Sequence, residues 1–371
     1  MSRFFDLVSN AARNMQAYQP GPLRPAVAER RLARLDSNEN PYGPSLRAME
    51  AMRAALTATN CYPDDDCTDL RRKLADHHNL PPDQILVTAG STALLGLICQ
   101  TMLAPGLNAV TSERSFIVYA VAVHAAGAQL IEAPMQNDAF DLDAILAAIN
   151  QNTRLVFLAN PNNPTGTMFD AAAAEKFLAK IPGHVVVVLD EAYFEFALHF
   201  AAQRQLDYSR SLEQVRQGAS VVVLRTFSKA HGLAGLRIGY GLGPAELLAY
   251  CARMRNTFSV SSVAQAAAIA ALDDLSHIGR AVHNNAAQAD LLTTALTEMG
   301  YRAAPTSANF VYCDLADDAA AIAAQLRSEG ISVRPLGPWG APTCIRVSIG
   351  TPDHNQIFLE AMRKVVAITR R

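Results

Sequence analysis

Short strand-like runs alternate with amphipathic stretches over roughly the first two thirds of the chain. Two of the runs, Val185–Leu189 and Val221–Leu224, are continuous in valine and leucine, which is typical of strands buried on both faces of a mainly parallel sheet. The predicted strands are Ile85–Ala89, Ala109–Ser112, Gln129–Ala133, Leu155–Ala159, Val185–Leu189, Val221–Thr226 and Arg237–Tyr240. Helical patterns separate them, so the sequence predicts a doubly wound α/β domain.

The pattern changes after about residue 256. Two long helices are predicted there, roughly 262–272 and 278–299. Predicted strands (Asn309–Leu315, Ile331–Leu336, Ile345–Ile349) and helices (Asp318–Glu329, Pro352–Ile368) follow. This α+β order predicts a smaller domain over 257–371, after a large domain over 45–256 that opens with a helix capped by Ser45. Residues 1–44 lack a long periodic segment and are predicted to form an N-terminal arm that joins the small domain.

The composition narrows the class of protein. The 371 residues suffice for one large domain and a smaller one, and a content of 50% hydrophobic and 18% charged residues excludes low-hydrophobicity disorder. The net charge of -2 and the lack of a dense basic stripe give no support for a nucleic-acid partner. The longest apolar stretch, Phe116–Ile131, is too short to span a membrane, and the N-terminus does not resemble a signal peptide. We therefore expect a soluble cytoplasmic protein without a membrane partner.

Six scattered cysteines form no Cys-x-x-Cys pair, so reduced thiols and no metal site are expected. The lysines are more informative, because 27 of the 32 basic residues are arginines. Lys229 follows the apolar strand ending at Thr226 and precedes a nearly uncharged, glycine-containing segment. A lysine at the carboxyl end of a buried strand lies where α/β sheets bind ligands, and desolvation there makes its amine nucleophilic. The alternative is a surface lysine in a turn.

Two segments have features of phosphate binding. Thr226 and Ser228 flank Lys229, and Arg237 follows eight residues after it, which supplies two hydroxyls and a guanidinium. The alternative is that Ser228 caps a helix and Arg237 begins a strand. Separately, Gly90-Ser91-Thr92 stands between a predicted strand and a helix, a geometry that directs backbone N–H groups at an anion.

A carboxylate and a rigid asparagine-rich loop complete the candidate site. Asp190 ends a buried strand and could hold a cationic ring nitrogen, or it could simply cap the next turn. The segment Asn160–Gly166 contains two prolines, which restrict the backbone and present asparagine side chains at a strand end. A nucleophilic lysine, two anion-binding elements, a carboxylate and a fixed asparagine together predict a pyridoxal 5'-phosphate site.

Longer motifs carry a family resemblance. The segments NPNNPTG (160–166), DEAY (190–193), RTFSKAHGLAGLRIGY (225–240) and RVSIGT (346–351) resemble class I/II aminotransferases of pyridoxal phosphate fold type I. The segments LDSNENPYGPS (35–45), Tyr62-Pro63-Asp64 and Tyr18-Gln19-Pro20-Gly21 are similar to the histidinol-phosphate aminotransferase subfamily. The resemblance covers essentially the whole chain and implies a large, mostly parallel seven-stranded sheet domain with a smaller α+β domain.

The resemblance also implies residue roles. Lys229 would form the Schiff base with the cofactor, Asp190 would pair with the ring nitrogen, and Asn163 and Tyr193 would bond the ring 3'-oxygen. The cofactor phosphate would be held by Gly90, Ser91, Thr92, Thr226, Ser228 and Arg237. Phe116 would stack on the ring, and Tyr62 would reach the phosphate of the neighbouring subunit of a homodimer. Arg346 and Arg334 would bind the substrate's anionic group, with Tyr18 and Asn40 of the arm on the remaining side.

The substrate pair implied by the resemblance is histidinol phosphate with glutamate or 2-oxoglutarate, in histidine biosynthesis. Trp339, the only tryptophan, lies between the two substrate arginines in sequence and would also suit the phenyl ring of an aromatic amino acid. Phenylalanine or tyrosine is therefore the alternative donor, and a decarboxylase resembling threonine-phosphate decarboxylase is a less favoured alternative. A nonenzymatic cofactor-binding module and a nicotinamide oxidoreductase are disfavoured, the latter because Gly-x-Gly-x-x-Gly is missing.

Overall fold

The computed structural model describes residues 7–14 and 33–369, and a seven-stranded sheet forms its centre. The strands, numbered along the chain, are β2 (Ile85–Thr88), β3 (Asn108–Ser112), β4 (Gln129–Ala133), β7 (Thr153–Ala159), β8 (Val186–Asp190), β9 (Val221–Thr226) and β10 (Gly239–Leu242). Their order is β2-β10-β9-β8-β7-β3-β4; β10 is antiparallel to both its neighbours, and the other pairs are parallel. The predicted mostly parallel seven-stranded sheet is confirmed.

Side chains of β8 and β9 alternate between two apolar cores, one on each face of the sheet. Val187 and Val223 pack in one core, and Val188 and Leu224 pack in the other. Both faces need cover because every second side chain would otherwise meet water, which explains the continuous apolar runs. The covering helices are α2 (Leu46–Ala55), α3 (Thr68–His78), α4 (Ser91–Met102), α5 (Val118–Ala125), α6 (Leu142–Ala148), α7 (Ala171–Leu178), α9 (Ser211–Arg216), α10 (Ala245–Arg253) and α11 (Ser262–Leu272). The helix α8 (Phe194–Gln203) follows β8 but packs outside these two cores.

A second core surrounds a four-stranded antiparallel sheet in the C-terminal part of the chain. Its elements are α12 (Leu275–Glu298), β11 (Arg302–Ala304), β12 (Phe310–Asp314), α13 (Ala319–Ser328), β13 (Ile331–Ser332), β14 (Arg334–Leu336), β15 (Ala341–Ser348) and α14 (Pro352–Thr369). The sheet order is β11-β12-β15-β14. The prediction of one strand over Ile331–Leu336 is wrong, because the chain changes partner at Val333: β13 pairs with β1 (Ala33–Arg34) and β14 pairs with β15.

Two smaller features complete the fold. A hairpin of β5 (Met135–Gln136) and β6 (Ala139–Phe140) extends from the large sheet, and α1 (Asn10–Asn14) precedes the main body. The predicted cap of α2 is present, since Ser45 Oγ accepts a hydrogen bond from the Ala48 amide at 3.2 Å. All six cysteines are free thiols.

The packing of α11 bears on where the two domains divide. Its residues Ala264, Ala267 and Leu272 are buried in the same core as Val187 of the large sheet. The division at residue 256 stays a prediction, and we propose moving it to about residue 272, because α11 buries its apolar face in the large domain. With this division, α2 to α11 and the seven-stranded sheet form the large domain, and the chain from α12 onward forms the small domain.

The described residues lack two further features, a membrane-spanning helix and a metal-binding cluster. Within residues 7–14 and 33–369, no helix has the length and apolar character needed to cross a bilayer. The same residues contain no group of three or more histidine, cysteine, aspartate or glutamate side chains arranged to hold a metal ion.

Candidate active site

Most of the predicted site residues meet in one cavity of about 300 Å³ between the large and small domains. The large-domain wall is formed where β7, β8 and β9 end, because the carboxyl ends of parallel strands meet at one edge of the sheet. The predicted residues that line the cavity are Ser91, Thr92, Phe116, Asn163, Asp190, Tyr193, Thr226, Ser228, Lys229, Arg237, Arg334 and Arg346.

Lys229 lies in the turn after β9, and its amine faces the cavity. Its Nζ donates hydrogen bonds to the carbonyl oxygens of Asn38 at 3.2 Å and Ser37 at 3.4 Å. Burial, reinforced by the positive charge of Arg346, lowers the pKa of Lys229 to about 7. A substantial fraction of the amine is therefore neutral near pH 7, as a nucleophile or a general base requires.

Asp190, the last residue of β8, is buried beside the lysine. Its Oδ2 accepts a hydrogen bond from the Tyr119 hydroxyl at 3.0 Å, and its Oδ1 accepts one from the Ala192 amide at 3.2 Å. Burial raises the pKa of Asp190 to about 6, although both hydrogen bonds favour the carboxylate. Tyr119 is held in turn by stacking on Phe157, with ring centroids 4.8 Å apart. Asp190 therefore both caps a turn and presents a fixed carboxylate to a cationic group.

An anion cradle forms where the Gly90 turn meets Arg237. A Cβ atom built on Gly90 would lie 2.5 Å from Arg237 Nη2, and Gly90 has a φ of +89°, so glycine is required for this approach. Arg237 Nη1 donates to Ser228 Oγ at 3.3 Å, and Thr226 Oγ1 lies 3.0 Å from Ser228 Oγ. The helix α4 begins at Ser91, directly after Gly90, and the N–H groups of a first helical turn favour an anion.

These residues fit the phosphate group of pyridoxal phosphate. Among the described residues no carboxylate pairs with Arg237, which donates hydrogen bonds to Ser228 Oγ and to the carbonyl of Ala234. The cradle therefore offers a guanidinium, two hydroxyls and helix amides to a dianion at the edge of the cavity. Lys229, Asp190 and this cradle line the same cavity, as the binding of a phosphorylated pyridine ring requires.

The asparagine-rich loop connects the large-domain wall of the cavity to Arg346, one of the two arginines predicted to bind the substrate. The Asn160–Pro161 and Asn163–Pro164 peptide bonds are cis. Asn163 Oδ1 accepts a hydrogen bond from Arg346 Nη1 at 2.6 Å. Arg346 Nη2 also donates to the carbonyl of Asp36 at 2.8 Å, so this arginine is held against both walls.

Tyr193 is buried at the start of α8 and is oriented by Asn38. The Asn38 Nδ2 atom donates to the Tyr193 hydroxyl oxygen at 2.9 Å, which leaves the hydroxyl proton available for another acceptor. Burial raises the pKa of Tyr193, so the phenol keeps that proton near neutral pH.

Four predicted residues do not line this cavity. Gly90 lies behind it and contributes the close approach described above. Tyr62 is 82% exposed and stacks on Phe258, with ring centroids 4.5 Å apart. That Tyr62 reaches the cofactor phosphate of a neighbouring subunit stays a prediction. Tyr18 lies outside the described residues.

The placement of Asn40 differs from the prediction. Asn40 Nδ2 donates to the carbonyl of Ala230 at 2.8 Å, and its Oδ1 accepts from the Tyr42 amide at 2.9 Å. Both polar ends are therefore used in fixing the segment to the Lys229 loop. The preceding residues 36–39 of the same segment line the cavity instead.

Sequence reasoning missed three contributors: Tyr119, Asn38 and the backbone of Asp36. Tyr119 follows Phe116 by three residues, and although Phe116 precedes α5, the two rings are in edge contact, with centroids 5.6 Å apart. Asn38 lies within the LDSNENPYGPS segment, but nothing in the sequence distinguishes it from Asn40. The Asp36 carbonyl has no sequence signal at all, since every residue has one.

The comparison with protein families gives a match over most of the chain. The model of aminotransferase class I and II matches residues 30–362. Histidinol-phosphate aminotransferase 2 of Pseudomonas aeruginosa is 42% identical over 373 residues, which cover 99% of this chain and 100% of that protein. Histidinol-phosphate aminotransferase 2 of Ralstonia nicotianae is 42% identical over 340 residues, covering 91% and 89%.

Solved structures agree with this match. The histidinol-phosphate aminotransferase of Sinorhizobium meliloti, in complex with pyridoxal 5'-phosphate, superposes with a TM-score of 0.85 at 32% identity, covering 92% of each chain. A mutant aspartate aminotransferase of Thermus thermophilus shares the fold, with a TM-score of 0.82 at 24% identity over 96% of this chain and 99% of that chain. The resemblance and the fold class inferred from the sequence motifs are thereby confirmed.

Proposed function

The chain belongs to the class I and II aminotransferases, and we propose that it transfers the amino group between histidinol phosphate and 2-oxoglutarate in histidine biosynthesis, with pyridoxal 5'-phosphate as cofactor. The observation that carries the proposal is the meeting of Lys229, Asp190 and the Arg237 cradle in one cavity that also holds Arg334 and Arg346. The relatives named histidinol-phosphate aminotransferase support the choice of substrate. We also propose that the protein is a homodimer located in the cytoplasm.

Each end of the cofactor would have its own set of residues. Arg237, Ser228 and the amides of α4 would hold the phosphate. The Asp190 carboxylate would pair with the protonated ring nitrogen. Phe116 would cover one ring face, while Tyr193 and Asn163 would bond the ring 3'-oxygen. When bound, the cofactor supplies an electron sink that eases removal of the proton from the amino-bearing carbon of the substrate.

Lys229 has two roles in this proposal. Its Nζ would hold the cofactor covalently between turnovers. Once the substrate amine has displaced it, the same atom would take the proton from the substrate Cα. It would then donate that proton to the cofactor carbon that receives the amino group. A pKa of about 7 suits both directions, because the amine then accepts and donates a proton at similar cost near neutral pH.

The two arginines of the small domain would seat both partners of the ping-pong reaction. Glutamate brings two carboxylates and histidinol phosphate brings a phosphate, and guanidinium groups match both anions bidentately. Arg334 lies at the same wall as Arg346, with its Nε 3.4 Å from the carbonyl of Asp36. An aromatic amino acid offers one carboxylate only, which would leave one arginine without an anion.

The alternative donor is phenylalanine or tyrosine, because Trp339 lines the cavity beside these arginines. An indole can pack against a phenyl ring as well as against an imidazole. Because Trp339 suits either ring, the choice between the two donors rests on the number of anionic groups that each donor carries and on the names of the relatives.

A donor panel tests the proposal. Purified holoenzyme with 2-oxoglutarate is given histidinol phosphate, histidinol, phenylalanine or tyrosine, and glutamate formation is measured as kcat/KM. We expect the highest value for histidinol phosphate and a loss of at least about tenfold for histidinol, which lacks only the phosphate. A higher value for phenylalanine than for histidinol phosphate would refute the substrate while leaving the aminotransferase assignment intact. Release of CO2 without glutamate formation would favour a decarboxylase.

A further inference from the structure

A buried carboxylate connects the two domains outside the cavity. Asp138 lies in the turn between β5 and β6, and its side chain is only 9% exposed. Its Oδ1 pairs with Arg114 Nη1 of the large domain at 2.8 Å, and its Oδ2 pairs with Arg302 Nη1 of the small domain at 2.5 Å. A carboxylate this buried is costly unless it is paired, and here each oxygen takes one arginine.

The large-domain end of this connection leads directly to the cofactor face. Arg114 precedes Phe116 by two residues, and its carbonyl accepts a hydrogen bond from Asn162 Nδ2 at 3.1 Å. The carbonyl of Asp138 accepts one from Thr167 Oγ1 at 3.0 Å. The pair thus ties together the Phe116 loop and the asparagine-rich loop that presents Asn163.

The small-domain end leads to the substrate arginines. Arg302 lies on β11, which pairs with β12, and Tyr312 of β12 faces Arg346 of β15 in the sheet register. Tyr312 is fully buried, and its hydroxyl also interacts with the guanidinium of Arg114. Arg302 and Tyr312 therefore connect the sheet that carries Arg346 to the large-domain pair of Arg114 and Asp138.

We propose that Asp138 is a positioning residue, which sets the small domain, and with it Arg334 and Arg346, at the distance from Lys229 that the substrate requires. Asp138, Arg114 and Arg302 form an interdomain clasp. The residues that would hold the cofactor all belong to the large domain, whereas Arg334 and Arg346 belong to the small domain. The link from Asp138 to Arg302 therefore governs substrate binding rather than cofactor binding. This inference rests on the proposed function only for the kinetic part of its test.

The decisive variant is Arg302→Gln, because Arg302 is 57% exposed and its replacement leaves Asp138 paired with Arg114. The matched control is Arg327→Gln, which removes the same charge from an exposed position on α13 of the small domain. Trp339 is the only tryptophan and lines the cavity, so its fluorescence reports ligand binding without turnover. The probe is 2-oxoglutarate, titrated into holoenzyme.

We expect Arg302→Gln to raise the dissociation constant for 2-oxoglutarate, and the KM of both substrates, by about tenfold. Its kcat should stay within about threefold of the wild type, its pyridoxal phosphate affinity should be unchanged, and Arg327→Gln should resemble the wild type. In an Asp138→Asn background, Arg302→Gln should add less than about twofold, since the clasp is already broken.

Three results would overturn the inference: a dissociation constant for Arg302→Gln within about twofold of Arg327→Gln, an equal effect of Arg302→Gln in both backgrounds, or a loss confined to kcat. If Asp138→Asn does not fold, the comparison of Arg302→Gln with Arg327→Gln decides alone. Because the fluorescence titration needs no amino transfer, a wrong donor assignment would leave this test intact.

Discussion

Arg334 and Arg346 lie directly opposite each other on the neighbouring strands β14 and β15, and both donate to the carbonyl oxygen of Asp36. The pairing places two guanidinium groups on one wall of the cavity, and the Asp36 backbone fixes their direction. One carbonyl neutralises neither charge, so the pair is suited to a ligand with more than one negative charge.

The first prediction concerns this pair. Arg334→Gln removes one of the two cations and should reduce kcat/KM for histidinol phosphate more than for phenylalanine, which has a single carboxylate. A hydrogen bond to a charged group contributes about 1.5–3 kcal/mol, so the differential should be roughly ten- to a hundredfold. The measurement is the ratio of the two kcat/KM values in wild type and variant. An unchanged ratio would contradict the role given to Arg334.

The second prediction concerns Lys229. Lys229→Ala removes both the covalent attachment of the cofactor and the base that moves the Cα proton. Acid–base catalysis alone contributes about 10²–10⁴-fold, so steady-state transamination should fall by at least that factor. The control is Lys180→Ala, which removes a half-exposed lysine outside the cavity. Circular dichroism should show that both variants are folded, and turnover of Lys229→Ala within about tenfold of wild type would exclude the proposed role.

The third prediction concerns Tyr62 and the proposed homodimer. The ring is 82% exposed in the single chain but is already oriented by Phe258, as expected of a side chain that reaches another subunit. Tyr62→Phe keeps this stacking and loses the hydroxyl, so pyridoxal phosphate affinity should fall by about 1.5–3 kcal/mol. Tyr250→Phe, at another exposed tyrosine, is the control. A fully active monomer, identified by analytical ultracentrifugation at assay concentration, would refute the arrangement.

The fourth prediction is a pH dependence of stability in the cofactor-free protein. The pKa of Asp190 is raised from 3.8 to about 6 by burial, so between these pH values the folded state binds more protons than the unfolded state. The free energy of unfolding should therefore fall as the pH rises through this window, by up to about 3 kcal/mol relative to Asp190→Asn.

Urea unfolding of both proteins from about pH 3 to pH 7 measures this difference, and the difference found below the ordinary pKa of 3.8 is the internal reference. Tyr119→Phe should steepen the fall, because the lost hydrogen bond favoured the carboxylate. A difference that is flat with pH, or that grows in the opposite direction, would show that burial does not dominate at Asp190.

The sequence determined the sheet and most of the site, because both depend on local patterns. Continuous valine and leucine runs require cover on both faces, and this identifies the strands of the parallel sheet. Residues placed directly after those strands, such as Lys229 and Asp190, must then lie at one edge of the sheet, so their meeting follows from strand order. The single strand predicted over Ile331–Leu336 failed because a change of strand partner leaves no mark on the hydrophobic pattern.

The tertiary structure alone decided which distant groups meet. That Asn38 rather than Asn40 faces the cavity depends on which way the segment turns, and the φ of +55° at Asn38 is not encoded by any periodicity. Tyr119 meets Asp190, and Asp36 meets Arg346, across separations of 71 and 310 residues. A local pattern records which face a residue turns to the core, but only the packing of complete elements determines the partner it finds there.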